Sequence, residues 1–464
     1  MMGTRIFTPG DWGLVAAVCL AQLALLVLPI PAIGPSGVAL ISLTLVSVLV
    51  VTSNVHRSIL FLIFISTVIP GYISEEHLRL PMDFKFAEGL FMAVIFFALL
   101  SALKDRVSLP ITPLNRPITL FLLIVVGSCA IGLYLGHSVS QLLRDVRYPL
   151  YYGLFYIVTV FFDRRRHPQY LYMLIVIASI VGIEYLIEFL SELNLSIAGA
   201  FHRVARTEGL LLPIGTLLIA AAWLYAPGRN VRLILGIALV PAALALVLTV
   251  GRGMWISAGG GFVALLFLFI RDRQRLGLRR LWIILAVPLL VFTFGSVFET
   301  ATDTGVGAAA SRRLASAETI EEDRSLATRL ISYRAAWAKI VRRPILGGGH
   351  GETVTFPIVM TEVPHIATVG AVDNVYLTIL LRMGLVGLFA FLWIYVRGLR
   401  LSYRLFQTSQ TQSVRFFAAG FFVVYSAMLV YGMADSTMIG TRLIFIHAAS
   451  LGILAQLSAD TDDV

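Results

Sequence analysis

Charge is what this chain has least of. Only 13% of its 464 residues are Asp, Glu, Lys or Arg, about half the usual share. Lysine is nearly missing, since only Lys85, Lys104 and Lys339 are present and every other basic residue is arginine. Cysteine is scarce too: Cys19 and Cys129 both fall in apolar stretches, so no disulfide framework is implied. There is no H-x-x-x-H or C-x-x-C spacing, and no D-x-D pair in the long polar interval, so no motif points to a bound metal or other cofactor. The first apolar run follows Arg5 but is long and has no A-x-A-like cleavage site, so it reads as a retained helix rather than a leader.

What fills the chain instead is hydrocarbon. Hydrophobic residues make up 58% of it and its mean hydropathy is +0.88. Many windows approach the roughly 20 apolar residues that cross a bilayer as a helix. The expectation is an all-α polytopic membrane protein, a single integral domain over 1–464, and no nucleic-acid partner despite a net charge of +10. Spans are expected near 12–30, 36–53, 58–73, 86–103, 117–135, 149–162, 168–190, 209–226, 232–249, 254–270, 281–298, 375–396, 416–432 and 439–457, about fourteen in all. The dense segments FFDRRRHP, RDRQRLGLRR and VRGLRLSYR fall on one side, which the positive-inside rule makes cytoplasmic. Both termini then lie in the cytoplasm, and a loop over 296–374 lies outside.

That loop is the only long polar interval. SLATRLISYRAAWAKIVRRP predicts an amphipathic helix over Ser325–Arg343, capped by Asp323 or Ser325 and stopped by Pro344. Leu326, Leu330, Trp337, Ile340 and Val341 make one broad stripe, to rest on the membrane surface or on the spans beneath. Arg329 and Arg334 stand about 140° apart around it. The following GGGHG lacks the ending of a phosphate loop and follows no strand, so its glycines read as a sharp turn, with His350 a turn or site residue. Asp373 and Asn374 can each cap the next span. Asp373, or His365 before it, can also act as a general base toward an acceptor hydroxyl.

Several arginines defy the charge rule. Arg144 and Arg147 in QLLRDVRYP, Arg203 and Arg206 in FHRVARTEG, and Arg252 in TVGRGMWIS lie near span ends on the outer side. Arg382 lies inside a span and calls for an acidic or phosphate partner, with Glu184 and Glu188 the candidates. Guanidinium forks suit bidentate grip on phosphate. Nucleotide sugars do not reach an outer face, so a glycosyl donor there arrives already attached to a lipid.

Four segments, in order, resemble the O-antigen ligase and O-antigen polymerase superfamily of bacterial envelope glycosyltransferases: ARTEGLLLPIGTLLIA, TVGRGMWIS, TRLISYRAAWAKIVRRPILGGGHG and DNVYLTILLRMGLVGL. The resemblance covers about 200–395. It implies a GT-C-like membrane fold in the inner membrane, without metal. It implies pyrophosphate grip by Arg252 and by Arg329 or Arg334. Placement on the outer side adds Arg147, Arg203, Arg206, Asn374 and Arg382 as further candidate substrate contacts. The implied donor is an undecaprenyl-diphosphate-linked glycan. The acceptor is another lipid-linked glycan (polymerase) or lipid A-core (ligase). Ligases resembling this pattern carry histidine just before the asparagine, where this chain has Asp373, which favours the polymerase. A flippase for lipid-linked sugars is the reading from a different class.

Overall fold

A computed structural model describes residues 54–68, 79–80, 84–195, 209–226, 228–249, 251–272, 324–358, 365–440 and 443–459, with Ser47 and Val50 besides. The chain forms two compact units, Met1–Ser108 and Leu109–Val464. In the first, helices α1 (Val55–Val68) and α2 (Phe86–Asp105) flank a two-residue ladder of β1 (Arg79–Leu80) and β2 (Phe84–Lys85).

The second unit is mostly helical. In order it holds α3 (Asn115–Tyr134), α4 (Val139–Leu150), α5 (Leu154–Phe161), α6 (His167–Leu195), α7 (Leu211–Tyr225), α8 (Arg229–Leu248) and α9 (Arg252–Arg271). Then come α10 (Arg324–Ile340), β3 (Val354–Ile358), β4 (His365–Val369), α11 (Val375–Thr408), α12 (Gln412–Tyr431), α13 (Thr437–Gly440) and α14 (Ile444–Ala459). Helix α12 packs against α9, α11 and α7, and α3 packs along α11.

Among the described residues seven helices are long and apolar enough to cross a membrane. The expected count of about fourteen is therefore not supported. The stretches 12–30 and 281–298, and most of 36–53, lie outside the described residues. The stretches 58–73, 209–226 and 439–457 become helices of 14, 15 and 16 residues. The stretch 149–162 yields a 3-10 turn and then only eight helical residues in α5.

The polar interval also holds something the sequence reading passed over. β3 and β4 form an antiparallel hairpin, Val354 opposite Val369 and Ile358 opposite His365. Val354 and Phe356 alternate with exposed Thr355 and Pro357, the period-two pattern of a half-buried strand. Their inward face joins Ala336 and Ile340 of α10, and Val372 and Leu381, in one apolar cluster. The expected stripe on α10 is thus split: Ile340 is buried, while Leu330, Trp337 and Val341 face outward.

The most consequential local feature is a break in α11. Its 34 residues are interrupted at Gly384, which has φ 62° and ψ −164°, a backbone region that glycine alone occupies without strain. In an unbroken helix Leu381 O would accept from Leu385 N, and Arg382 O from Val386 N. Instead Gly348 N donates to Leu381 O at 2.7 Å and Gly349 N to Arg382 O at 2.9 Å. On the other side of the break, Leu385 N donates to Pro344 O at 2.8 Å and Val386 N to Ile345 O at 3.3 Å. The turn after α10 is thereby inserted into the hydrogen-bond ladder of a membrane helix. Backbone groups at such depth must find protein partners, and this turn supplies all four. The glycines are needed for that approach: Gly347, Gly349 and Gly351 have φ of 73°, 86° and 91°. A Cβ on Gly347 would sit 2.5 Å from the Arg382 carbonyl carbon.

Asn374, not Asp373, caps α11. Its Oδ1 accepts from Leu377 N at 3.0 Å, and its Nδ2 donates to Met433 O at 3.2 Å. Asn374→Ala is expected to cost about 1–2 kcal/mol, read as a lower melting temperature in detergent. An unchanged melting temperature would refute the capping role.

Candidate functional site

With Asn374 holding the helix start, the Asp373 carboxylate is released to the surface. Arg329 on α10 meets it, Nε donating to Oδ2 at 3.1 Å. One helical turn later Tyr333 donates its hydroxyl to the Asp373 backbone oxygen. Positions i and i+4 share a helix face, so α10 presents Arg329 and Tyr333 together to the mouth of α11.

The turn after α12 closes the same place. Met433 O accepts from Asn374 Nδ2 and, at 3.5 Å, from the Tyr333 hydroxyl. Two residues on, Asp435 accepts from Thr437 N at 2.8 Å and from the Tyr431 hydroxyl at 3.2 Å. Burial pushes the Asp435 carboxyl above its ordinary range, and the negative charge of Asp373 adds to this. The Thr437 amide, Tyr431 and Arg329 pull the other way. Burial likewise raises the Tyr333 phenol, against the pull of Arg329.

Arg252 enters from a third side. It begins α9, and a Cβ placed on the next residue, Gly253, would lie 3.1 Å from the Ala434 Cβ. The starts of α9 and α11, the end of α12 and the Arg329 turn of α10 thus converge at one end of the bundle. Helix α4, which carries Arg147, packs on α13 just beyond Asp435. The Arg147 guanidinium lies 4.9 Å over the Tyr148 ring.

The remaining expected residues fall elsewhere. Arg334 is exposed, away from the Arg329 face. His365 begins β4 at the end of the hairpin far from Asp373, about 13 Å along the strand from Val369. Arg203 and Arg206 lie outside the described residues. Arg382 is only 5% exposed and is taken by the protein itself. Its Nη2 lies 2.9 Å from Asp145 Oδ1 and donates to Gly370 O at 2.6 Å. The expected partners Glu184 and Glu188 give way to Asp145 on α4.

The GGGHG turn is likewise consumed by the fold. The amides of Gly348 and Gly349 serve the α11 break, His350 N donates to Ser128 O, and Gly351 N donates to Asp145 Oδ2. No cradle of free amides remains for a nucleotide phosphate, so the phosphate-loop reading is excluded. Ser128 Oγ donates to Arg382 O at 3.0 Å and lies 2.9 Å from His350 Nδ1. The serine has one proton, so Nδ1 carries its own and donates it to Oγ. Burial first, and then the Arg382 charge, push the His350 imidazole down to about 3. His350 is a neutral structural residue.

Asp435 and Tyr333 escaped the sequence reading. Tyr333 was signalled by its i+4 spacing from Arg329. Asp435 sits in GMADST, a short connection between apolar runs, with no spacing that ties it to Arg329 or Asp373.

Fold and site together define a multi-pass helical membrane protein with an arginine–aspartate centre at one end of its bundle. Residues 237–392, about a third of the chain, match the family model described as O-antigen ligase. That match supports, for this segment, the resemblance to the O-antigen ligase and polymerase superfamily. No curated protein matches the chain. The matched segment includes Arg252, Arg329, Asp373, Asn374 and Arg382.

Proposed function

We propose that this protein is a polymerase of lipid-linked saccharides, working on the outer face of the bacterial inner membrane with both termini in the cytoplasm. The observation that carries this is the Arg329–Asp373 pair, seated beside the Arg252 turn within the family segment. Arg329 holds Asp373 through Nε, so its two terminal nitrogens remain for a phosphate. Arg252 supplies a second guanidinium from the start of α9, where the helix dipole also favours an anion.

The proposed reaction draws on these placements. An undecaprenyl-diphosphate-linked glycan sets its diphosphate against Arg252 and Arg329. A hydroxyl of the acceptor glycan attacks the anomeric carbon and forms the new C–O bond. The bond from that carbon to the diphosphate oxygen breaks, and the lipid diphosphate leaves with the negative charge. Asp373 takes the hydroxyl proton. Two guanidinium groups in a partly desolvated site stabilise the charge growing on the leaving group. Tyr333 supports Asp373 through its backbone oxygen, and Asp435 lies close enough to feel its charge.

The test is a reconstitution. Purified protein receives only the undecaprenyl-diphosphate-linked repeat of its own organism, and the products are sized. A ladder of lengthened lipid-linked glycan is expected. An unchanged donor refutes polymerisation. The family description favours one second reading, ligation, which transfer upon adding lipid A-core would support. Asp373→Asn is expected to slow extension by about 10²- to 10⁴-fold. Activity within tenfold of the unsubstituted protein would remove Asp373 from the role of base.

A further inference from the structure

The cationic end of α10 is not explained by the centre at Arg329. Thirteen residues separate Arg329 from Arg342, about 20 Å along the helix direction. There Lys339, Arg342, Arg343, Gly348, Glu352 and Leu381 line a cleft of about 190 Å³. Lys339 Nζ is held by Glu352 Oε1 and by Thr353 O, so the single carboxylate of the cleft is already paired with the lysine. His137 Nε2 stands 3.6 Å from the other Glu352 oxygen and 3.0 Å from Gly348 O. Arg342 and Arg343 are exposed, and two cationic charges remain in excess around the cleft.

A second observation concerns the rim. Val341, Ile345 and Leu346 are 59%, 62% and 57% exposed. Ile345 is tied to the second half of α11 by the Val386 amide, as Pro344 is by Leu385. Beyond them Leu385 and Phe389 are exposed on the flank of that membrane helix. Exposed apolar side chains thus extend from beside the cationic cleft to the flank of a helix long and apolar enough to cross a membrane. Charged head and apolar track lie in the order that an anionic amphiphile requires.

We propose that this cleft is a second lipid-phosphate site: Arg342 and Arg343 grip the phosphate of a membrane amphiphile whose hydrocarbon lies along Ile345, Leu346, Leu385 and Phe389. The site is separate from the Arg329 centre and stands whatever reaction that centre performs. Its ligand chemistry has two sources, an anionic phospholipid or a polyprenyl phosphate.

Native mass spectrometry of the full chain in detergent tests it, counting adducts of phosphatidylglycerol, undecaprenyl phosphate and zwitterionic phosphatidylcholine. An Arg329→Gln background makes the polyprenyl arm report on this cleft rather than on the reaction centre. At least one anionic lipid is expected to bind about tenfold tighter than phosphatidylcholine. Whichever binds tighter identifies the source. Arg342→Gln/Arg343→Gln is expected to lower that affinity by on the order of 25-fold, since each surface arginine is worth about fivefold toward an anionic lipid. The exposed single change Arg342→Gln is expected to lose about fivefold, and it guards against a double variant that folds poorly. Equal binding of anionic and zwitterionic lipids would overturn the proposal, as would arginine variants that keep the preference intact.

Discussion

Arg329→Ala is expected to lower glycan extension by about 10²- to 10³-fold, the usual loss when one pre-placed donor to a developing oxyanion is removed. The fold is expected to survive, because Arg329 is over a third exposed and its partner Asp373 more so. A surface pair of this kind contributes at most about 1 kcal/mol to stability. The two readouts therefore separate: extension collapses while the melting temperature barely moves. Arg329→Lys keeps the charge but loses the fork that can hold Asp373 and a phosphate together, so an intermediate rate is expected. Arg252→Ala is expected to behave like Arg329→Ala. Lipid-linked units are expected still to reach the outer face in each variant. Their accumulation inside would instead favour a transport role. Normal extension by Arg329→Ala would sink the proposed grip on diphosphate.

What was legible in the sequence was local. The amphipathic helix ends where Pro344 forbids its continuation, and α10 runs from Arg324 to Ile340 with a further turn to Arg343. The glycine run does turn the chain. What it turns into was hidden, because the break at Gly384 and the plug at Gly347–Gly349 define each other only once folded. Asp373 and Asn374 are equally competent caps, and sequence alone had no means to choose. The choice falls to the amide, whose Nδ2 finds Met433 O while the carboxylate finds Arg329. Arg382 inside an apolar run calls for an acidic or phosphate partner, and the fold supplies an acidic one. That partner came from α4, and no spacing rule connects residues so far apart in the chain. The hairpin was missed for a different reason. Five-residue strands carrying Pro357 resemble loop in a chain dominated by helix periodicity.

Removing Arg382 is expected to have the largest structural effect of any single side-chain change in the second unit. Arg382→Met leaves the largely buried Asp145 carboxylate without its ion-pair partner, and breaking a buried pair from one side costs about 3–5 kcal/mol. Burial already pushes the Asp145 carboxyl upward, with Arg382 first among the groups opposing it and the Gly351 amide next. Without the guanidinium only the Gly351 amide and the more distant charges of Arg144 and Arg147 remain to hold it. The damage is not confined to one contact. Arg382 joins α4 to Gly370 and, through its carbonyl, receives Ser128 and the Gly349 amide. Loosening it frees the plug in α11, and with it the C-terminal end of the helix that aims Arg329. Two measurements check this. The melting temperature of Arg382→Met is expected to fall sharply, and the amides of 347–351 are expected to exchange with solvent faster. The double variant Arg382→Met/Asp145→Asn removes the stranded charge and is expected to recover much of the loss. If single and double variants melt together, the ion pair is not what holds the plug, and the hydrogen bonds across the Gly384 break carry it alone.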